Sequence, residues 1–234
     1  QHMVLADLPI NGETRQVIMQ APKNGFFYVI DRTNGEFISA EPYAKVNWAS
    51  HIDPDTGRPV MTDVANYRDE PQFTLPSMVG AHNWHPMAYH PEHQLMYIPT
   101  IEQGFEFKAN DEFANEGTLH TGVAMSMGRA DPLLFKAVQK ATHIGSIVAW
   151  DPVAQTERWR VDFDKPWSMS LLATAGNLLF QGSHDGWLKA YRADTGELVW
   201  QSLTQIAAMA PPITYTVDGE QYIAIMAGWG GFMG

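Results

Sequence analysis

Residues 188–200 read LKAYRADTGELVW, and residues 147–159 read IVAWDPVAQTERW. Each is a short apolar run, a tight polar turn, a second short run and a closing tryptophan. In each, an alanine (Ala149 or Ala190) stands ten residues before that tryptophan. Trp159 and Trp200 are 41 positions apart, 200 minus 159. A period near 40 made of short strands is the scale of one four-stranded propeller blade. A single blade leaves both faces open, so blades must stack, and a recurrent tryptophan can wedge between them. DRTNGEFIS at 31–39 and DPDTGRPVM at 53–61 carry the same turn without the tryptophan. The sequence therefore predicts an all-β chain of about four blade-like units, the low end of the range for a propeller.

Strand signals elsewhere agree. GFFYVI at 25–30, LMYIPT at 95–100, GSIVAW at 145–150, NLLFQG at 177–182 and QYIAIMAG at 221–228 are apolar and bounded by turn residues. The one helical pattern is DPLLFKAVQKA at 131–141, with Asp131 as N-cap and Pro132 in the first turn. Its apolar side, Leu133, Leu134 and Val138, is a packing face. It lies in an irregular stretch from 104 to 143.

Composition narrows the function. The 234 residues are 45% hydrophobic, enough for a substantial core. The net charge of -11 repels phosphate backbones, so nucleic acid is not expected as a partner. No apolar run reaches the ~18 residues that span a bilayer. The absence of cysteine excludes disulfides, thiolate zinc sites and covalent c-type haem within these residues.

Four of the nine histidines fall in GAHNWHPMAYHPEH at 80–93. MAYHPEHQLMYI predicts a hairpin, which puts His90 and His93 in its turn, away from His82 and His85. No carboxylate or cysteine completes a metal set at these spacings, so the histidines are expected to frame Asn83 and Trp84. Ser183, His184 and Asp185 are triad letters, but sequence neighbours point different ways, and with Gly186 they form a turn. Asp53 and Asp55 resemble the start of a calcium loop that lacks its later ligands, again a turn.

Taken together, APKNGFFYVIDRTNGEFISA, NWAS, GAHNWHPMAYHP, GSIVAWDP, LLATAGNLLFQGSHDGWLKAYRADTGELVW and ITYTVDGEQYIAIMAGWGG resemble the PQQ-dependent quinoprotein alcohol dehydrogenases, the quinohaemoprotein branch above all. The resemblance covers nearly the whole chain and is loose only between 104 and 143. It implies an eight-bladed propeller of which residues 1–234 form the C-terminal half, with no separate second domain. It implies PQQ over the central axis and a calcium ion beside it. The aspartate that takes the alcohol's proton, and the calcium ligands, lie upstream in the family, so no catalytic residue is expected in this chain. The implied partners are an alcohol substrate, the missing N-terminal half of the propeller, and a cytochrome or haem domain carrying haem c as electron acceptor. The implied location is periplasmic or secreted.

The same resemblance assigns cofactor-binding positions. Lys23 matches the cation near the quinone oxygens, where a compact ammonium stabilises developing charge. Asn83 and Trp84 match a pair at the cofactor, the amide as a donor. Trp167 matches the indole that stacks under the ring, although Ser168, Met169 and Ser170 follow it where the family has small, glycine-rich residues. Gly228 and Trp229 match a loop whose backbone approaches the cofactor. The competing expectation is a non-enzymatic propeller scaffold of the bacterial envelope. It shares the blade repeat but has no use for Lys23, HNWH and AGWGG together. An open half-ring is also expected to aggregate or to pair with a second copy or its other half.

Overall fold

The computed structural model describes residues 2–110, 122–126 and 145–228. The helical pattern at 131–141 lies outside them, as does Trp229.

Three four-stranded antiparallel sheets form the body. The first blade is the meander β1 (Val4–Ile10), β2 (Glu13–Gln20), β3 (Phe26–Asp31) and β4 (Phe37–Pro42), in sequential order. After it come the hairpin β5 (Ala49–Ile52) and β6 (Pro59–Met61), then β7 (Gln72–Thr74). The second blade is β8 (Ala88–His90), β9 (Leu95–Ile101), β12 (Gly145–Asp151) and β13 (Thr156–Phe163). Between β9 and β12 the chain makes β10 (Phe105–Ala109) and β11 (Val123–Ser126), which join β7 in a separate three-stranded sheet. The third blade is β14 (Ser168–Thr174), β15 (Leu178–Ser183), β16 (Trp187–Arg192) and β17 (Leu198–Leu203). The hairpin β18 (Ile213–Val217) and β19 (Glu220–Ala224) follows. The all-β meander blades are as predicted, but the described residues complete three four-stranded units where about four blade-like units were expected. The DPDTG turn closes the short β5–β6 pair, not a blade, because its Asp53 cap needs only a reversal and no sheet beyond it. Asp53 Oδ1 accepts from the backbone N–H of Asp55 at 3.0 Å and of Thr56 at 2.8 Å.

The blades stack face to face. Leu8, Val17, Met19, Phe27 and Val29 of the first blade pack against Met96, Ile98, Val148 and Trp150 of the second. The alternate residues of the second, Leu95, Tyr97, Ile147 and Ala149, pack against Leu171, Leu179 and Tyr191 of the third. β9 is consequently buried at every position and shows no polar alternation.

The repeat at 41 residues sets one joint between blades. Ala149 pairs with Trp159 and Ala190 with Trp200 across their hairpins. The Trp159 indole N–H donates to Ala193 O of the third blade at 3.1 Å. Its ring lies on the next blade's turn at Gly196, where an added Cβ would come within 2.6 Å of it. Trp200, the last of the series, is 49% exposed. The first joint is different. Val29 pairs with Ser39, so a serine holds the tryptophan's place. Gln155 then stands where Gly196 stands in the next turn. Its amide donates to Ser39 Oγ at 3.0 Å and accepts from Glu41 N–H at 3.1 Å. A polar clasp replaces an indole on a glycine.

Candidate functional site

An up-and-down meander reverses at alternate ends. The turn between second and third strands and the crossing to the next blade therefore emerge on one side. This parity puts Lys23 (between β2 and β3), Asn83 and Trp84 (before β8) and Trp167 (before β14) at the same end. The turns at Asp31, Asp151 and Asp194, between third and fourth strands, and the β8–β9 turn lie at the other. His90 and His93 stack there at 4.2 Å and bond Thr174 O and Asn177 Oδ1, apart from His82 and His85 as predicted.

Backbone bonds knit the site end across blades. Ala81 N–H donates to Lys23 O at 3.0 Å, Leu171 N–H to Pro86 O at 3.2 Å, and Ala208 N–H to Ser183 O at 3.0 Å. Gly228 N–H donates to Ala207 O at 2.6 Å. Gly80, at φ +83, lets the 77–80 turn lie on Lys23, since a Cβ there would sit 2.5 Å from the Lys23 Cβ. The exposed Lys23 ammonium donates to Met78 O at 3.5 Å. Asn83 is half-buried and commits one of its two amide hydrogens to Val79 O at 2.7 Å.

Next to this turn three rings meet. Trp84 stacks on Trp167 with centroids 5.3 Å apart and planes at 28°. His85 lies 5.0 Å from Trp84 and 5.7 Å from Trp167. Trp84 is 51% exposed, whereas His85 is 2% exposed. Burial, with a smaller contribution from His82, pushes the His85 imidazole down to about 4, so it is neutral at pH 7. His82 braces the loop from beneath. Its ring nitrogens lie 2.7 Å from Ala21 O and 2.7 Å from His85 O. Burial lowers its proton affinity and the two carbonyls partly restore it.

The structure thus brings together Trp84 and Trp167, and Lys23 with the turn that precedes Asn83. Gly228 sits at the same end by a parallel bridge to Ala208, and a Cβ there would meet nothing within 4 Å. Trp229 lies outside the described residues. The brace at His82 and the burial of His85 were not legible beyond the bare motif HNWHP. The Ser183–His184–Asp185 letters form no relay: the Ser183 hydroxyl bonds the Asp185 carboxylate directly. Among the described residues no group of three or more His, Cys, Asp or Glu could hold a metal ion.

Stacked four-stranded meanders, joined once by an indole on a glycine and once by a polar clasp, and carrying paired indoles at their crossing end, define a stretch of β-propeller. Comparison with known proteins gives the particular family. The sequence model of the PQQ family, described as glucose/ethanol/alcohol dehydrogenase, beta-propeller domain, matches residues 136–223. The quinohemoprotein alcohol dehydrogenase ADH IIB of Pseudomonas putida is 46% identical over 232 residues, 99% of this chain and 33% of that protein. The solved structure of ADHIIG from Pseudomonas putida HK5 superposes with a TM-score of 0.89 at 41% identity, over 98% of this chain and 34% of that one. A europium-containing methanol dehydrogenase superposes at 0.85 with 28% identity, over 99% of this chain and 40% of that one. The chain belongs to the PQQ-dependent quinoprotein alcohol dehydrogenase family. It spans about a third of the length of the curated relatives it matches.

Proposed function

We propose that this chain supplies one side of the PQQ site of an enzyme that oxidises an alcohol to an aldehyde or ketone. The observation that carries the reading is the ring cluster of Trp84, His85 and Trp167 beside the Lys23 turn. It stands at the end where the family's cofactor would lie.

The residues fit such a group. A planar, multiply anionic heteroaromatic needs an apolar ring surface, a cation and hydrogen-bond groups. Trp167 offers the surface and Lys23 the charge. Asn83 offers an amide, and the backbone at Gly228 offers room for close approach. When bound, PQQ supplies the oxidant for the alcohol. The chain's own work is binding, orientation and electrostatics. The Lys23 ammonium favours negative charge at the neighbouring oxygens, and the neutral His85 and the two indoles keep water from the ring face. The base that takes the alcohol's proton is proposed to lie on another part of the polypeptide, as is the calcium site.

Haem c on a further domain or a partner cytochrome is proposed as the electron acceptor. The name quinohemoprotein, carried by the relatives, supports this. A periplasmic or secreted location is proposed on the same footing.

Lys23→Ala in the full-length protein tests the reading. Wild type should take up PQQ and, with calcium, oxidise alcohols with an artificial acceptor. The variant should lose at least about tenfold in activity, a charge-assisted contact removed, with little change in Tm because Lys23 is exposed. Full activity in the variant would rule out the role of Lys23. Failure of wild type to bind PQQ would sink the functional reading and leave a scaffold.

A further inference from the structure

His82 faces two backbone oxygens at once. Its Nδ1 lies 2.7 Å from Ala21 O, its Nε2 lies 2.7 Å from His85 O, and the ring is fully buried. Carbonyl oxygens only accept. A neutral imidazole has one N–H, so it serves one oxygen and turns a bare lone pair toward the other, whereas an imidazolium donates to both. Both distances are shorter than the ~2.9–3.0 Å common for neutral N–H···O bonds. The geometry therefore favours the proton. Burial opposes it, because a cation out of water is costly, and lowers the proton affinity of the ring. With the two tendencies opposed in one side chain, a charge placed nearby decides between them.

The titratable groups around His82 are basic. His2 opposes a charge on His82, and its own Nδ1 accepts from Met87 N–H at 3.2 Å. His85 lies three residues along the same loop and is coupled to His82 in the same sense. Lys23 stands two residues beyond Ala21, and its carbonyl accepts from Ala81 N–H, so the Lys23 turn is tied to the residue before His82. An anion bound at that turn acts the other way and draws a proton onto the ring.

We propose that His82 takes up a proton from solvent when the anionic cofactor binds at the Lys23 turn, and that the imidazolium then bonds Ala21 O and His85 O together. The inference rests on the PQQ reading of this site. It needs no rearrangement, since both contacts already stand at bonding distance and only the second hydrogen is added. His82 is a positioning residue. One of its acceptors lies two residues before Lys23 and the other two residues after Asn83, so the added proton fixes the spacing of those two groups.

The sign of the pH dependence follows. The complex holds one more proton than its separate partners, so affinity falls as pH rises. The fall reaches about tenfold per pH unit between the pH at which the free protein loses this proton, below 6.5, and the higher pH at which the complex does. The experiment is calorimetric titration of PQQ into the calcium-loaded, PQQ-free full-length protein at pH 7. Buffers of different ionisation enthalpy count the protons exchanged. Wild type should take up about one proton per PQQ. His82→Gln keeps a side-chain N–H and does not titrate, so it should bind PQQ with about one proton fewer and a flatter dependence on pH. A merely structural His82 would change affinity and leave the proton count as it was. No uptake by wild type, or equal uptake by His82→Gln, would overturn the proposal. Should the variant fail to fold, NMR of wild type with isotope-labelled histidine decides. The ring in contact with Ala21 must pass from one attached proton to two when PQQ is added, and a ring that keeps one overturns the proposal. Wild type that binds no PQQ would remove the functional reading itself.

Discussion

Replacing Gly196 by alanine tests the joint between the second and third blades quantitatively. Gly196 lies at φ +76, and a Cβ there would stand 2.6, 2.9 and 3.1 Å from three atoms of the Trp159 indole. Two separate penalties follow. The left-handed backbone costs a non-glycine residue about 1–2 kcal/mol. The overlap with the indole adds about 1–3 kcal/mol, because the ring is pinned by its bond to Ala193 O and by Tyr97 at 5.5 Å. Gly196→Ala should therefore destabilise by about 2–5 kcal/mol. In a Trp159→Ala background the overlap is gone and only the backbone penalty of about 1–2 kcal/mol remains. The two substitutions should be non-additive by about 1–3 kcal/mol. The assay is urea unfolding of the four proteins of this cycle as full-length chains, with midpoint and slope fitted separately. Equal costs of Gly196→Ala in both backgrounds would show that the ring does not bear on the glycine.

Other consequences can be checked alongside. Trp159→Phe should cost only about 1 kcal/mol beyond its loss of area, since Ala193 O keeps its bond from the Tyr97 hydroxyl at 2.8 Å; a melt suffices. Gln155→Ala removes the clasp to Ser39 and Glu41 and should destabilise by about 1–2 kcal/mol, with Ser39→Ala adding little on top. His85 binds its proton near pH 4 in the folded chain and near 6.5 when unfolded. Between those values the unfolded chain binds the extra proton. Stability from this group is thus complete above pH 6.5, falls by up to about 3 kcal/mol on acidification to pH 4, and falls no further below it. The slope between pH 4 and 6.5 should be shallower in His85→Phe. Glu102→Ala, which unties a buried carboxylate from Arg160 at 2.7 Å and Lys45 at 3.0 Å, should cost about 1–3 kcal/mol by urea unfolding.

The blades were legible because β9, β12 and β15 are mostly apolar runs buried along nearly their whole length and the turns between strands are explicit. Burial on both faces gives such runs, and no alternative element of that length needs them. Pairing followed from the tryptophan spacing, since the residue ten positions before Trp159 or Trp200 is its partner across the hairpin. The same turn letters at 53–57 misled, because an aspartate cap specifies a local reversal and is indifferent to what the flanking residues then join. The excursion between β9 and β12 was also hidden. The antiparallel pairing that sets Ile147 opposite Pro99 spans a long insertion that no periodicity crosses. For the site, strand parity was enough to place Lys23, Trp84 and Trp167 at one end. Which ring lies on which was not. Side chains on connections follow no period, so the Trp84–Trp167 stack and the enclosure of His85 are visible only in three dimensions.

The polar clasp between Ser39 and Gln155 has a consequence for how a ring is put together. Were every joint an indole on a glycine, any blade could dock on any other, and skipped or repeated neighbours would fit as well as true ones. Here the seams are keyed. A tryptophan arriving at the turn of the second blade meets the Gln155 side chain instead of an open glycine. Ser39, brought to the third blade, would leave the Gly196 turn without its ring. Each mismatch forfeits the contact that its proper neighbour makes. The order of the blades is thereby encoded twice, in the chain and in its seams.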